Sequence, residues 1–81
     1  MRTAKAQAVA LAARFAAATG QTPHTDETPM RIRVEVNLPR ELSDTARRIV
    51  VAALAGADRY GHDHTSAGAV VWAEVDQGRE K

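Results

Sequence analysis

The sequence lacks cysteine entirely and has few aromatic side chains, with one Trp, one Tyr and one Phe in 81 residues. Without cysteine there is no disulfide, no thiolate nucleophile and no cysteine-ligated zinc site, and the redox compartment stays open. Aromatic side chains usually supply much of a core, so the 44% hydrophobic content, which is mainly Ala and Val, predicts a marginal core. Small domains without disulfides often oligomerise, and we therefore expect a homodimer.

An excess of either charge is also missing, since the formal net charge is +1. This balance argues against a generally basic nucleic-acid-binding protein. The charge is uneven, because residues 1–20 hold three cations and no acid, whereas residues 61–81 hold four acids and two bases. No apolar run of about 18 residues occurs, so we expect no membrane span and a cytoplasmic protein. The bias towards Ala, Arg and Val, with almost no Lys, indicates a GC-rich bacterial gene.

The clearest pattern in the chain is the unbroken alternation of apolar and polar residues over 30–38, MRIRVEVNL. Successive side chains of an extended chain point to opposite faces, so this alternation predicts a half-buried β-strand. The apolar face holds Met30, Ile32, Val34, Val36 and Leu38. The polar face holds Arg31, Arg33, Glu35 and Asn37.

The N-terminal segment 1–20 is rich in alanine, and its apolar residues recur at helical spacing. We predict a helix over residues 3–19 that ends at Gly20. Alanine offers little area for burial, so few side chains can attach this helix to the rest of the chain. The candidates are Val9, Leu11 and Phe15.

Residues 21–29, QTPHTDETP, have the composition of a linker, with two prolines and several hydroxyl side chains. His24 and Asp26 lie in this segment, and we interpret them as solvated linker residues rather than metal ligands. The segment that begins at Met30 reads as a complete small unit. Whether residues 1–29 belong to the functional unit therefore stays open.

A second, amphipathic helix is predicted over 40–60 by a continuous stripe of apolar residues. Its start lies between Pro39 and Asp44, where a proline, a capping serine and a first-turn acid follow one another. Gly56 interrupts the stripe and gives an alternative, earlier end. Because the stripe continues to Tyr60, we favour an end at Gly61.

The C-terminal part of the chain predicts a loop, a strand and a tail. Residues 61–68, GHDHTSAG, form a polar loop, and residues 69–76, AVVWAEVD, are rich in β-branched and aromatic residues, which indicates a second strand. One face of this strand holds Val71, Ala73 and Val75, and the other holds Val70, Trp72, Glu74 and Asp76. We expect residues 77–81 to be a flexible tail.

These elements predict an α+β fold in the order helix, strand, helix, strand, with an αβ core domain over 30–76 in which an amphipathic helix packs on a small sheet. A helical crossover would make the two strands parallel, whereas the loop, which can span about 26 Å, would also permit an antiparallel pair. A two-stranded sheet is marginally stable in water. We therefore expect a symmetric homodimer to complete a four-stranded sheet.

Few residues are candidates for catalysis or metal binding. His62 and His64 flank Asp63, and two imidazoles with a carboxylate are suitable zinc ligands. Because both histidines lie in a predicted loop after a helix, however, we interpret them as solvated side chains near the helix C-terminus. Ser66 beside them lacks the strand–turn–helix context of a nucleophile. We predict no catalytic residue, no metal site, no cofactor and no enzymatic activity.

The polar face of the first predicted strand has a second interpretation. With a proline and an amphipathic helix after the strand, residues 34–49 resemble the strand and first helix of the ribbon-helix-helix family of DNA-binding proteins. In that family two strands of a dimer form an antiparallel ribbon in the major groove. The resemblance implies that residues 66–76 form a second helix. It also implies nucleic-acid contacts, since Arg pairs with guanine and Asn with adenine, at Arg31, Arg33 and Asn37.

Two functions are compatible with these observations. We predict a small non-enzymatic protein-interaction module that acts as a homo-oligomer and binds another copy or another protein. The alternative is a ribbon-helix-helix-like DNA-binding regulator that uses the strand 31–37. Residues 69–76 are a strand under the first function and a helix under the second. The sequence identifies no small-molecule substrate.

Overall fold

The computed structural model describes residues 3–66 and 68–77. These residues form two helices and four strands, which are α1 (Ala4–Thr19), β1 (His24–Glu27), β2 (Arg31–Leu38), α2 (Asp44–Leu54), β3 (Arg59–Thr65) and β4 (Gly68–Asp76). The strands make one antiparallel sheet in the order β1-β2-β4-β3. The predicted α+β class is confirmed.

Helix α1 begins and ends where its sequence predicts. The Thr3 hydroxyl accepts a hydrogen bond of 3.1 Å from the backbone N–H of Ala6. Gly20 ends the helix in the left-handed conformation, with a φ of 74° that glycine adopts without steric cost. Phe15 is fully buried and anchors the helix. The anchoring role predicted for Val9 is wrong, because this side chain is 65% exposed.

The central strands β2 and β4 divide the sheet into two faces. Their cross-strand pairs place six buried apolar side chains on one face, here called the inner face: Ile32, Val34, Val36, Val71, Ala73 and Val75. Both helices contribute buried residues to the same core cluster, among them Phe15 of α1 and Val50 of α2. The predicted burial of alternate residues is therefore confirmed at Ile32, Val34 and Val36, whereas Leu38 is partly buried and Met30, in the bend before β2, is exposed.

The segment 21–29, which the sequence predicts to be a linker, contains the edge strand β1. It pairs with β2 from His24 opposite Glu35 to Glu27 opposite Ile32. The hairpin is closed by Thr28, whose N–H donates to the Arg31 carbonyl at 2.8 Å. All four side chains of β1 are exposed, so no apolar alternation marks this strand in the sequence.

Helix α2 starts as predicted, since the Ser43 hydroxyl accepts a hydrogen bond of 3.0 Å from the Ala46 N–H. Its end differs from the predicted 40–60, because the helix stops at Leu54. The N–H of Gly56 donates to the Ala53 carbonyl at 3.2 Å, which makes a tight turn. The alternative end near Gly56 is the better prediction. Tyr60 continued the apolar spacing only because it lies on the inner face of β3.

The segment 61–68, predicted to be a polar loop, belongs to a β-hairpin. Strand β3 pairs with β4 from Arg59 opposite Glu74 to Thr65 opposite Gly68. Apart from Tyr60, the residues of this strand are polar or glycine, so its sequence resembles a loop. The sheet thus has four strands within one chain, and the shortage of strands that suggested dimerisation is absent from the described residues.

Helix α1 and Gln77, the residue that follows β4, both make contacts within the fold. Because α1 supplies part of the core and β1 pairs with β2, residues 4–27 are part of the fold. Gln77, predicted to begin a flexible tail, donates its backbone N–H to the Met30 carbonyl at 2.8 Å. The remainder of that predicted tail, residues 78–81, lies outside the described residues. In the part of the chain that the structure describes, no helix has both the length and the hydropathy needed to cross a membrane.

Candidate functional site

The face of the sheet opposite the core, here called the outer face, holds the predicted polar residues of β2. Helix α1 contacts β2 and β4 on the inner face and α2 packs against α1, so neither helix of the described residues covers the outer face. On β2 the outer face presents Arg31, Arg33, Glu35 and Asn37. The neighbouring outer residues of β4 are Val70, Trp72, Glu74 and Asp76.

Glu74 lies at the centre of an ion-pair cluster on the outer face. It is 7% exposed, and its carboxylate accepts hydrogen bonds from Arg31 at 3.4 Å, Arg33 at 3.1 Å and Arg59 at 3.1 Å. The register explains this convergence, because Arg33 of β2 and Arg59 of β3 lie directly opposite Glu74 of β4. Two strands, β2 and β3, therefore supply three cations to one carboxylate of β4.

The cluster keeps its carboxylates ionised. Burial alone would raise the pKa of Glu74, but hydrogen bonds from Arg59 and Arg33 and the charge of Arg31 outweigh it, so this pKa lies below its ordinary value. Arg59 also donates to Asp76. That hydrogen bond raises the pKa of Arg59 and lowers the pKa of Asp76.

Trp72 sits beside this cluster and lies across Gly61 of the neighbouring strand. A Cβ atom at position 61 would fall 2.6 Å from the indole Nε1, well inside van der Waals contact, so the indole needs glycine there. The guanidinium carbon of Arg33 lies 4.3 Å from the ring centroid, a cation–π contact. The half-buried indole is thus held by a glycine and an arginine from two different strands.

Gly61→Ala is expected to lower the free energy of unfolding by about 1–3 kcal/mol, because the new methyl group forces Trp72 out of its position. We expect the tryptophan fluorescence to shift to longer wavelength as the indole gains water contact. Gly56→Ala is the matched control, since its Cβ would meet only the Ala53 carbonyl oxygen at 3.6 Å. Unchanged emission and thermal stability in Gly61→Ala would contradict this placement of Trp72.

The predicted nucleic-acid contacts are placed on one face but are not equally free. Arg31 and Arg33 are hydrogen-bonded to Glu74, whereas Asn37 is exposed opposite Val70. Residues 69–76 form a strand, and β2 is paired on both sides, with β1 and with β4. A ribbon-helix-helix dimer needs a helix at residues 69–76 and, at β2, a strand that is free to pair with the second copy, so the described fold differs from that family.

His62 and His64 lie on a strand rather than in a loop. As alternate residues of β3 they share the inner face, with ring centroids 4.5 Å apart in an edge-to-face arrangement. Asp63 points to the outer face, away from both, as does Glu74. Residues 3–66 and 68–77 contain no group of three His, Asp or Glu side chains placed to hold a metal ion.

The other residues weighed for catalysis or metal binding are also kept apart. Ser66 lies in the turn of the β3–β4 hairpin, and Asp63 points away from the face that holds His64, so the three do not form a triad. His24 and Asp26 are exposed on the outer face of β1. These placements bring together no arrangement for acid–base or nucleophilic chemistry among the described residues.

A groove of about 650 Å³ separates α2 from β3 on the inner face. Its walls are mostly apolar, and its floor is formed by β4 at Val71. The wall residues from the two elements are Val50, Val51 and Leu54 of α2 and Tyr60, His62 and His64 of β3. The sequence analysis missed this groove, because it requires β3 to be a strand. The only sequence signal was the spacing of Tyr60, His62 and His64 at every second residue.

The two edges of the sheet differ in how they are protected. Strand β1 is four residues long, lies between Pro23 and Pro29 and carries two acids. Short length, proline and charge are the features that keep edge strands from pairing with other chains. Strand β3 also carries two charged side chains, Arg59 and Asp63, but it is seven residues long and contains neither proline nor lysine. Within the described residues β3 is therefore the less protected edge.

Comparison of the chain with protein-family models, with curated proteins and with solved structures finds no match.

Proposed function

We propose that this protein is a small non-enzymatic protein-interaction module that acts in the cytoplasm as a homo-oligomer, by pairing β3 with β3 of a second copy. The observation that carries the proposal is the exposed edge of β3. An edge strand presents unpaired backbone N–H and C=O groups, which form a template for another strand. Two identical strands in antiparallel pairing meet the twofold symmetry of most dimers.

The side chains of β3 favour such a pair in one register. Antiparallel pairing centred on Gly61 places Arg59 opposite Asp63 of the second copy, and twofold symmetry repeats this contact. Both residues lie on the outer face, where oppositely charged cross-strand neighbours stabilise a sheet. In the same register, β3 of the second copy lies beside Tyr60, whose side chain is 59% exposed in the single chain.

The experiment is the molecular mass in solution of the full chain and of two variants with the same charge change. Asp63→Lys places a lysine on β3, whereas Asp26→Lys places one on β1. We expect the unmodified chain and Asp26→Lys to be dimeric at about 100 μM, and Asp63→Lys to be monomeric, because lysine blocks strand pairing at an edge.

Light scattering gives the mass, and circular dichroism shows that each variant stays folded. A monomeric unmodified chain, or equal masses for the two lysine variants, would overturn pairing through β3.

The alternative function, DNA binding through the strand 31–37, has less geometric support. Arg31 and Arg33 are engaged by carboxylates, and β2 has no free edge among the described strands. A DNA-binding protein would show an affinity for duplex DNA that falls steeply with salt concentration. Comparing Arg33→Gln with Arg48→Gln separates a loss of DNA contact on the outer face from the general effect of removing one positive charge.

A further inference from the structure

The groove between α2 and β3 has two ends that differ in chemistry, and the path of the chain shows which residues lie at each end. At one end, β2 finishes at Leu38 opposite Ala69, close to the turn of the β3–β4 hairpin. Helix α2 starts just beyond this point and runs back along the sheet. The chain then enters β3 at Arg59, opposite Glu74, at the other end.

The end beside the start of α2 is cationic. Arg40 from the β2–α2 connection and Arg47 from the first part of α2 line the groove, together with His64 and Ser66 of the hairpin. Asp44 in the first turn of α2 offsets the partial positive charge of the helix dipole, so the two arginines are the cationic groups that line this end. None of the described residues that line the groove is acidic. This end therefore attracts an anionic group that accepts hydrogen bonds.

The opposite end is apolar and lacks a covering element within the described residues. Val51 and Leu54 of α2 line one wall here and Tyr60 of β3 lines the other, with Val71 in the floor. Val51 is 60% exposed although it borders a concave surface, and apolar area left in water costs about 25 cal/mol per Å². The groove volume of about 650 Å³ lies within the range of small-molecule sites, about 300–1,000 Å³.

The geometry points to a small amphipathic anion as the ligand of this groove, with its apolar body along Val51 and Leu54 and its carboxylate, or a similar group, held by Arg40 and Arg47. An extended peptide is less suitable, because its backbone would place unpaired polar groups against the apolar end. The inference goes beyond the proposed dimer and does not depend on it. One chain forms the whole groove, whereas the dimer uses the free backbone edge of β3.

Decanoate, an unbranched aliphatic carboxylate, is the probe for the first experiment. Titrated into the full chain and followed by calorimetry and by methyl NMR spectra, it is expected to bind saturably with one ligand per chain. The methyl signals of Val51 and Val71 should shift, and those of Val70, on the outer face, should not. Decyltrimethylammonium, which has a tail of similar length and the opposite charge, should bind at least about tenfold more weakly.

Two matched variant pairs locate the site. Arg47→Gln is expected to weaken decanoate binding about three- to tenfold, whereas Arg48→Gln, the next residue outside the groove, should leave it unchanged. Val51→Asp should weaken it more than about tenfold, while Val9→Asp, at an equally exposed position of α1, should not. All four positions are exposed, so none of these changes is expected to unfold the protein.

Three results would overturn the proposal: no saturable decanoate binding, equal binding of the cationic probe, or binding that Arg47→Gln and Val51→Asp leave unchanged. An apolar peptide that binds where decanoate does not would assign the groove to a peptide and reject the small anion. The titration is repeated with Asp63→Lys, which is expected to be monomeric. Decanoate binding that persists in a monomer separates this inference from the proposed dimer.

Discussion

Phe15→Ala is expected to lower the free energy of unfolding by about 3–5 kcal/mol, a large share of what a domain of this size has. Phe15 is fully buried and is the only phenylalanine in the chain, so no other residue of that size can fill the space between α1 and the sheet. The remaining buried residues of α1 that reach the core include Ala8 and Leu11, which offer less area.

Urea unfolding followed by circular dichroism measures this change. Val9→Ala is the control on the same helix, because Val9 is exposed and its truncation should alter stability by less than about 0.5 kcal/mol. An unchanged unfolding midpoint for Phe15→Ala would contradict the role of α1 as part of the core. A shortened chain that starts at Met30 and still unfolds cooperatively would contradict it as well.

The elements that the sequence predicted are those whose signals are local. Apolar alternation marks β2, a run of β-branched and aromatic residues marks β4, and a capping serine and a left-handed glycine mark helix ends at Ser43 and Gly20. Each of these features depends on residues within one turn or one strand. They do not require knowledge of which segments meet in the fold.

The strands β1 and β3 could not be predicted in this way, because tertiary pairing determines them. The side chains of β1 are all exposed, and Tyr60, His62 and His64 of β3 line a groove rather than a closed core. Part of what holds the start of β3 is a pair of contacts with β4, where the Asp58 N–H donates to the Glu74 carbonyl at 2.9 Å and Asp58 accepts from the Asp76 N–H at 2.7 Å. Such contacts join residues that are far apart in sequence.

The same distinction, between local signals and features that tertiary pairing determines, applies to the candidate surfaces. The sequence placed Arg31, Arg33 and Asn37 on one face of a strand, and the structure confirms that they share it. It did not reveal that Glu74 would collect three guanidinium groups, because this depends on the register of β2, β3 and β4. The groove was missed for the same reason, since its wall is a strand that reads as a loop.

Glu74→Gln is expected to lower the free energy of unfolding near neutral pH by about 2 kcal/mol. The variant keeps the size of the side chain but leaves three guanidinium groups around a neutral amide. This figure is below the cost of breaking a fully buried ion pair, because the arginine side chains are 34–49% exposed and water screens part of their repulsion.

The pH dependence of stability tests the charge of Glu74 separately from its size. The pKa of Glu74 is lower in the folded protein than its ordinary value of 4.5, so the ionised carboxylate stabilises the fold fully at pH values above 4.5. This stabilisation is lost as the pH falls below 4.5 and through the folded-state pKa. We expect the unfolding midpoint of Glu74→Gln to fall less steeply with acid than that of the unmodified protein.

Glu41→Gln, at an exposed position in the β2–α2 connection, is the matched control and should retain the full acid dependence. Some acid dependence should also remain in Glu74→Gln, because the pKa of Asp76 is lowered by its hydrogen bond to Arg59. If Glu74→Gln and the unmodified protein lost stability equally between pH 5 and the acid limit of folding, about pH 2, Glu74 would not be the carboxylate that the three arginines hold in its ionised form.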